Sequence, residues 1–155
     1  MKTLSIAAAV VLIAASANAE TLLMDNEGVG TSNTAVTQIS EGHLVMVTQS
    51  VYEGFSATDN PMTASTGTCN GTMELMAGKL SGGGHCVYSD KDGDNWVVNW
   101  IPDTMTEKGA EEGNWVVTGG SGKYDGATGS GTFSTLTNQE TGKFVNNTKG
   151  SVTLK

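Results

Sequence analysis

The sequence predicts an all-β fold, a single antiparallel barrel or sandwich, and three observations carry that expectation. Short segments in which apolar or β-branched residues alternate with polar ones recur along the chain, separated by clusters of Gly, Asn, Asp and Ser. The dipeptide Asp92-Gly93, favoured in tight hairpin turns, lies between two such segments. The stretch 117–131 sets six glycines among strand-forming residues, a spacing suited to strands that bend sharply and pass close together.

Taken from the N-terminus, Lys2 precedes the apolar run 4–15 and then Ala17-Asn18-Ala19 before Glu20. This is the pattern of a secretory signal peptide, 1–19, too short and alanine-rich to be a membrane span. A mature chain from Glu20 is then one domain, 20–155, periplasmic or secreted, with no membrane partner after cleavage. Strand-like alternation covers 21–24, 35–39, 43–52, 66–76, 85–90, 95–101, 115–118, 132–137, 143–147 and 151–154. Residues 104–112 offer one turn of helix, limited by Gly109. The two prolines are isolated, and no repeat or low-complexity tract divides the chain.

The formal charge is -8, and the chain contains no arginine. Without the guanidinium fork that binds phosphate and guanine, nucleic acid and phosphorylated substrates are excluded as expected partners. The acidic surface suits solubility of an exported protein.

Two hairpins can be placed in register. A two-residue Asp92-Gly93 loop sets His85, Val87, Ser89, Trp96, Val98 and Trp100 on one face, taken as inward because it is the more apolar. A two-residue Ala77-Gly78 loop pairs Met76 with Lys79 and Cys69 with Cys86, and brings Asn70, Thr72, Glu74 and Met76 onto the His85 face. The cysteines then occupy a non-hydrogen-bonded site, where Cα atoms approach to about 4.5 Å, compatible with a disulfide. A bulge at Gly82-Gly83-Gly84 would shift this register. Cys69 and Cys86 are expected to be oxidised in an exported protein, closing a loop that stabilises by roughly 3 kcal/mol.

The motifs exclude several chemistries. Gly120-Ser121-Gly122 reaches its next glycine one residue late for a dinucleotide fingerprint, and Lys123 is followed by Tyr124 rather than the Ser or Thr of a phosphate loop. Asp90, Asp92 and Asp94 open like a calcium loop, yet Asn95 and Ile101 stand where that loop needs Gly and Glu; a hairpin turn accounts for the same residues. His43 and His85 are the only histidines, and neither Cys-x-x-Cys nor His-x-x-x-His spacing occurs, so no metal or other cofactor is expected. Methionines 46, 62, 73, 76 and 105 read as core filler. No Gly-x-Ser-x-Gly elbow supports serine hydrolysis. What remains is Glu74 and His85 as a catalytic acid and base, with Asn70, Trp96, Val98 and Trp100 contacting a ligand. The simpler reading stacks His85 on Trp100 as a core residue and leaves Glu74 at the rim.

The run Val117-Thr118-Gly119-Gly120-Ser121-Gly122-Lys123-Tyr124-Asp125-Gly126-Ala127-Thr128-Gly129 resembles the G-G-T-G-K-[YF]-x-G-A-x-G segment of the allene oxide cyclase and dirigent barrels. Cys86-Val87-Tyr88-Ser89-Asp90-Lys91-Asp92-Gly93-Asp94 resembles a C-V-[YF]-T-D-x-D-G-D hairpin of their exported bacterial relatives. Both motifs lie in the C-terminal half. The resemblance implies an eight-stranded antiparallel barrel with an apolar lumen, assembled as a homotrimer in many members. The chain lacks the arginine of dirigent sites, and no catalytic residue carries over. Three functions follow as expectations: a lumen that binds a small apolar molecule, a cofactor-free cyclase or isomerase acting on a bound apolar intermediate, and a structural or interaction protein with a filled barrel.

Overall fold

A computed structural model describes residues 19–56 and 59–155. The signal peptide expected over 1–19 therefore lies, except for Ala19, outside the described residues. The strands are β1 (Glu20–Leu23), β2 (Asn26–Ser40), β3 (His43–Phe55), β4 (Thr66–Met76), β5 (Lys79–Ser89), β6 (Asn95–Met105), β7 (Glu111–Gly120), β8 (Thr128–Thr137) and β9 (Lys143–Leu154). Each neighbouring pair from β2 to β9 is antiparallel, and β9 returns to β2, which closes the barrel. β1 pairs with the same edge of β9 in the same register as β2, with Glu20 opposite Leu154 and Asn26 opposite Thr148. It continues β2 beyond Met24 and Asp25, so the barrel has eight staves.

Closure pairs both edges of each strand over most of the barrel, which limits pairing with other chains, although β2 extends beyond β9 from Ser32 to Ser40. Segments 143–147 and 151–154 join into one strand through Gly150, whose φ is 151°. The turn of helix expected over 104–112 is not formed. Strands run to Met105 and from Glu111, and the link closes through Thr106 and Gly109, with Gly109 N–H donating to Thr106 C=O at 2.9 Å. Strand pairing on both sides satisfies the backbone groups that a helical turn would otherwise have to bond. The glycine run forms the end of β7, a 3₁₀ turn at Gly122–Tyr124 and the start of β8.

Side chains alternate between an inner and an outer face, and the inner face carries the aromatic residues. Glycines on adjacent strands make room for them. A Cβ on Gly71 would overlap the Trp100 ring, and one on Gly131 or Gly150 would stand 2.6 or 2.7 Å from Trp115 Cζ2. One end of the barrel is sealed by the β3–β4 connection, where Met62, Thr63 and Ser65 are fully buried beside the Trp96 indole, whose N–H donates to Ser65 Oγ at 3.3 Å. The opposite end, bounded by Val36 and Met105, is exposed.

The close approach of Gly71 to Trp100 generates a test. Gly71→Ala is expected to destabilise the fold by about 2 kcal/mol in urea unfolding, because an added methyl must displace a packed ring. Gly54→Ala, where a Cβ meets nothing within 4 Å, is expected to change stability by less than about 0.5 kcal/mol.

Candidate functional site

Loop length decides what the lumen contains. The Ala77-Gly78 loop has two residues, both with positive φ (51° and 81°), and pairs Met76 with Lys79 and Cys69 with Cys86 as the sequence predicts. The two cysteines form a disulfide with a Cα–Cα distance of 4.0 Å. The next hairpin departs from expectation. Its loop is Lys91-Asp92-Gly93, closed by Asp90 N–H donating to Asp94 C=O at 3.0 Å, with Gly93 at φ 87°. A type I turn followed by a left-handed glycine takes three residues, one more than the loop expected.

That extra residue slips every pairing by one, and a one-residue slip inverts a strand's faces. Trp96, Val98 and Trp100 face the lumen as expected, but opposite Tyr88, Cys86 and Gly84. His85 lies opposite Asn99 on the outer face, its Nδ1 donating to Asn99 Oδ1 at 2.6 Å. Asn70, opposite His85, is also outside. Glu74 is outside as well, accepting from His43 Nε2 at 2.6 Å. Glu74 and His85 are therefore paired with other residues and do not meet across the lumen, and His85 does not stack on Trp100. The disulfide, expected on the outer face, is part of the lumen wall.

The three aspartates of the β5–β6 loop surround a lysine. Lys123, in the 3₁₀ turn, places Nζ 2.7 Å from Asp90 Oδ2, 2.8 Å from Asp92 Oδ2 and 4.0 Å from Asp94 Oδ2. The Tyr124 hydroxyl donates to Asp90 Oδ2 at 2.9 Å, and the N–H groups of Asp92 and Asp94 donate to Asp90 Oδ1. Burial of the Asp90 carboxylate would raise its pKa, but these donors outweigh it and hold the group near 2. The same contacts, Asp90 first, hold the Lys123 ammonium well above its ordinary range.

The lumen encloses a cavity of about 190 Å³, walled by Tyr52, Tyr88, Trp100, Trp115, Phe133 and Phe144 among others. Polar side chains from β2, β3, β8 and β9 line it as well, among them Ser32, Thr48, Thr135 and Thr148. Asn146 Nδ2 donates to the Tyr52 hydroxyl at 2.7 Å, and the Tyr88 hydroxyl lies 3.7 Å from Cys69 Sγ. Burial pushes Tyr52 up to about 12 and Tyr88 well above the usual phenol range. Asn146 Oδ1 has no hydrogen-bond partner, although the residue is only 6% exposed.

The register aligns this asparagine with a carboxylate. Asn146 on β9 lies opposite Thr135 on β8, Thr135 lies opposite Glu111 on β7, and Glu111 lies opposite Met105 on β6. Asn146, Thr135, Glu111 and Met105 all line the cavity, and Glu111 is the only charged residue among the described lining. Burial pushes its carboxyl up to about 7. A carboxyl half-protonated at neutral pH can accept a hydrogen bond, donate one or move a proton.

Sequence reasoning missed Glu111, Thr135 and Asn146. Glu111 is in period-two phase with Gly113, Trp115 and Val117, a signal hidden by reading 104–112 as helical.

Two expectations follow from these charges. Glu111 holds its proton to about pH 7 in the fold but only to about 4.5 when unfolded, so its contribution is full below 4.5 and is lost as pH rises through 7. Urea titrations should show stability falling by up to about 3 kcal/mol across that window, relative to Glu111→Gln. Lys123→Met should lower the melting temperature, and by less when Asp90→Asn is already present, because the buried charge it strands is gone. Among the described residues no helix is long and apolar enough to cross a membrane. Comparison with protein-family models and with curated proteins finds no match.

Proposed function

We propose that this protein is an exported barrel whose lumen binds one small, largely apolar molecule. The observation that carries this reading is the cavity itself, about 190 Å³ within an aromatic wall, sealed at the Met62 end and exposed at the other. An apolar cavity of about 150 Å³ stays dry and admits a benzene-sized guest, so this one has room for a ring with a short substituent. Rings held against the wall leave the centre empty, which distinguishes the lumen from a barrel filled by its side chains.

Supporting arguments come from the compartment and from the motifs. A buried disulfide persists where conditions oxidise thiols, which suits the periplasm or the exterior and the signal-like segment 1–19. The resemblance of the 117–129 run and the 86–94 hairpin to the allene oxide cyclase and dirigent barrels supports the same use of a lumen. The aromatic wall suits apolar guests, and the absence of a lining cation gives no anchor for a phosphate or carboxylate.

Benzyl alcohol and indole test the reading, with the lumenal tryptophans as fluorescent reporters. Either ligand at a hundred times its Kd should stabilise the fold by about 2.7 kcal/mol in thermal unfolding. Thr48→Trp, placed on the lumen wall, should abolish binding while leaving the barrel folded. Absence of binding by both compounds, or undiminished binding in Thr48→Trp, would overturn the proposal. Native mass spectrometry of protein purified from its own host should reveal the retained molecule.

A further inference from the structure

We infer that Asn146, Thr135 and Glu111 form an ammonium subsite, so that the lumen takes a small organic amine with its cationic head on this row and its apolar body among the aromatic rings. The inference rests on the reading of the lumen as a binding cavity and names the class of ligand.

The three residues occupy directly opposed positions on β9, β8 and β7. Adjacent strands lie about 4.8 Å apart, so the row spans about 10 Å of wall, short enough for one donor group to bridge neighbouring members. All three offer acceptors. Asn146 Oδ1 is unpaired while its amide nitrogen donates to Tyr52, and burial is the cause of the upward shift at the Glu111 carboxyl. An unpaired buried acceptor and a lone carboxylate are complementary to a group that only donates, and an ammonium has three donors and no acceptor.

Charge points the same way. Among the described residues no Lys or His lines the cavity, and the chain has no arginine, so none of them supplies Glu111 with a counter-ion there. The groups nearest it on the flanking strands, Met105 and Thr135, are not titratable, and the phenol of Tyr52 interacts with it across the lumen. Glu107 and Lys108, in the β6–β7 connection, are exposed to solvent. Aromatic faces attract cations, and Tyr52, Phe133 and Trp100 line the same cavity as the carboxylate. The net charge of -8 draws cations towards the barrel before any contact forms. A carboxylate ligand would meet Glu111 with like charge, and an alcohol could satisfy only one of the three acceptors with its single donor.

Benzylamine, benzyl alcohol and benzoate, nearly identical in shape, separate these cases by fluorescence titration at pH 8. Benzylamine should bind at least about tenfold more tightly than benzyl alcohol, with benzoate weakest. Glu111→Gln should reduce amine affinity by about tenfold and change alcohol affinity by less than about twofold. Calorimetry at pH 7 in two buffers of different ionisation enthalpy should show proton release on amine binding, absent in Glu111→Gln, as the carboxyl ionises against the ammonium. Equal affinities for amine and alcohol, or an amine preference that survives Glu111→Gln, would overturn the subsite and leave the lumen reading standing. Failure of all three compounds to bind would overturn both.

Discussion

The barrel depends on one steric constraint: apart from Trp96, which stacks on Tyr88, the large rings in the lumen lie over neighbouring glycines. Eight strands enclose a space just wide enough for a single layer of large side chains. Here those rings are laid against the wall instead of across the centre, because the strand beside them lacks a Cβ. Trp100 covers Gly71 and Gly84, Trp115 covers Gly131 and Gly150, and Phe144 covers Gly30. The glycines cost conformational entropy in the unfolded chain, and ring packing on bare backbone offsets it. The cavity is the residue of this arrangement, since space at the axis is left over when the rings lie flat.

A second constraint fixes which side chains enter that space. Lys123 bridges Asp90 and Asp92 and approaches Asp94, and Tyr124 bonds Asp90, so the β7–β8 turn is tied to the β5–β6 loop. That loop is held at three residues, which sets Cys86 and Tyr88 inward and His85 outward. The two segments that carry the family resemblance meet at this contact. They build this corner of the barrel, while Glu111, Thr135 and Asn146 line the lumen from β7, β8 and β9.

Much of this was legible in the sequence because it follows from local rules. Alternation located part of every strand, although only 35–39 of β2, and positive-φ positions at Ala77 and Gly78 allowed the two-residue turn that aligns Cys69 with Cys86. Trp96, Val98 and Trp100 were placed inward correctly, because three apolar residues at alternate positions need one buried face. The Asp92-Gly93 turn was not legible to the residue. A left-handed glycine serves both two- and three-residue loops, and the longer one is held by Asp90, which accepts from the N–H groups of Asp92 and Asp94 and meets Lys123, some thirty positions away in the chain. Glu111 was obscured for a related reason. A bulge at Asp103 restores Met105 to the inner face, so the phase that links Met105 to Glu111 exists only once the strands are paired.

The contrast between outer and inner polar groups bears on why the row is there. Outside, His43 bonds Glu74 and His85 bonds Asn99, pairs that solvent would tolerate even if broken. Inside, Asn146 keeps one unpaired acceptor and Glu111 stands beside no cation, positions where burial penalises a polar group and where apolar residues of similar size would pack without that cost. The Asn146 amide nitrogen holds the Tyr52 hydroxyl, but the fold leaves its oxygen unpartnered and the Glu111 carboxyl beside no cation. On neighbouring strands and facing one cavity, these groups are placed where the proposed guest would satisfy them.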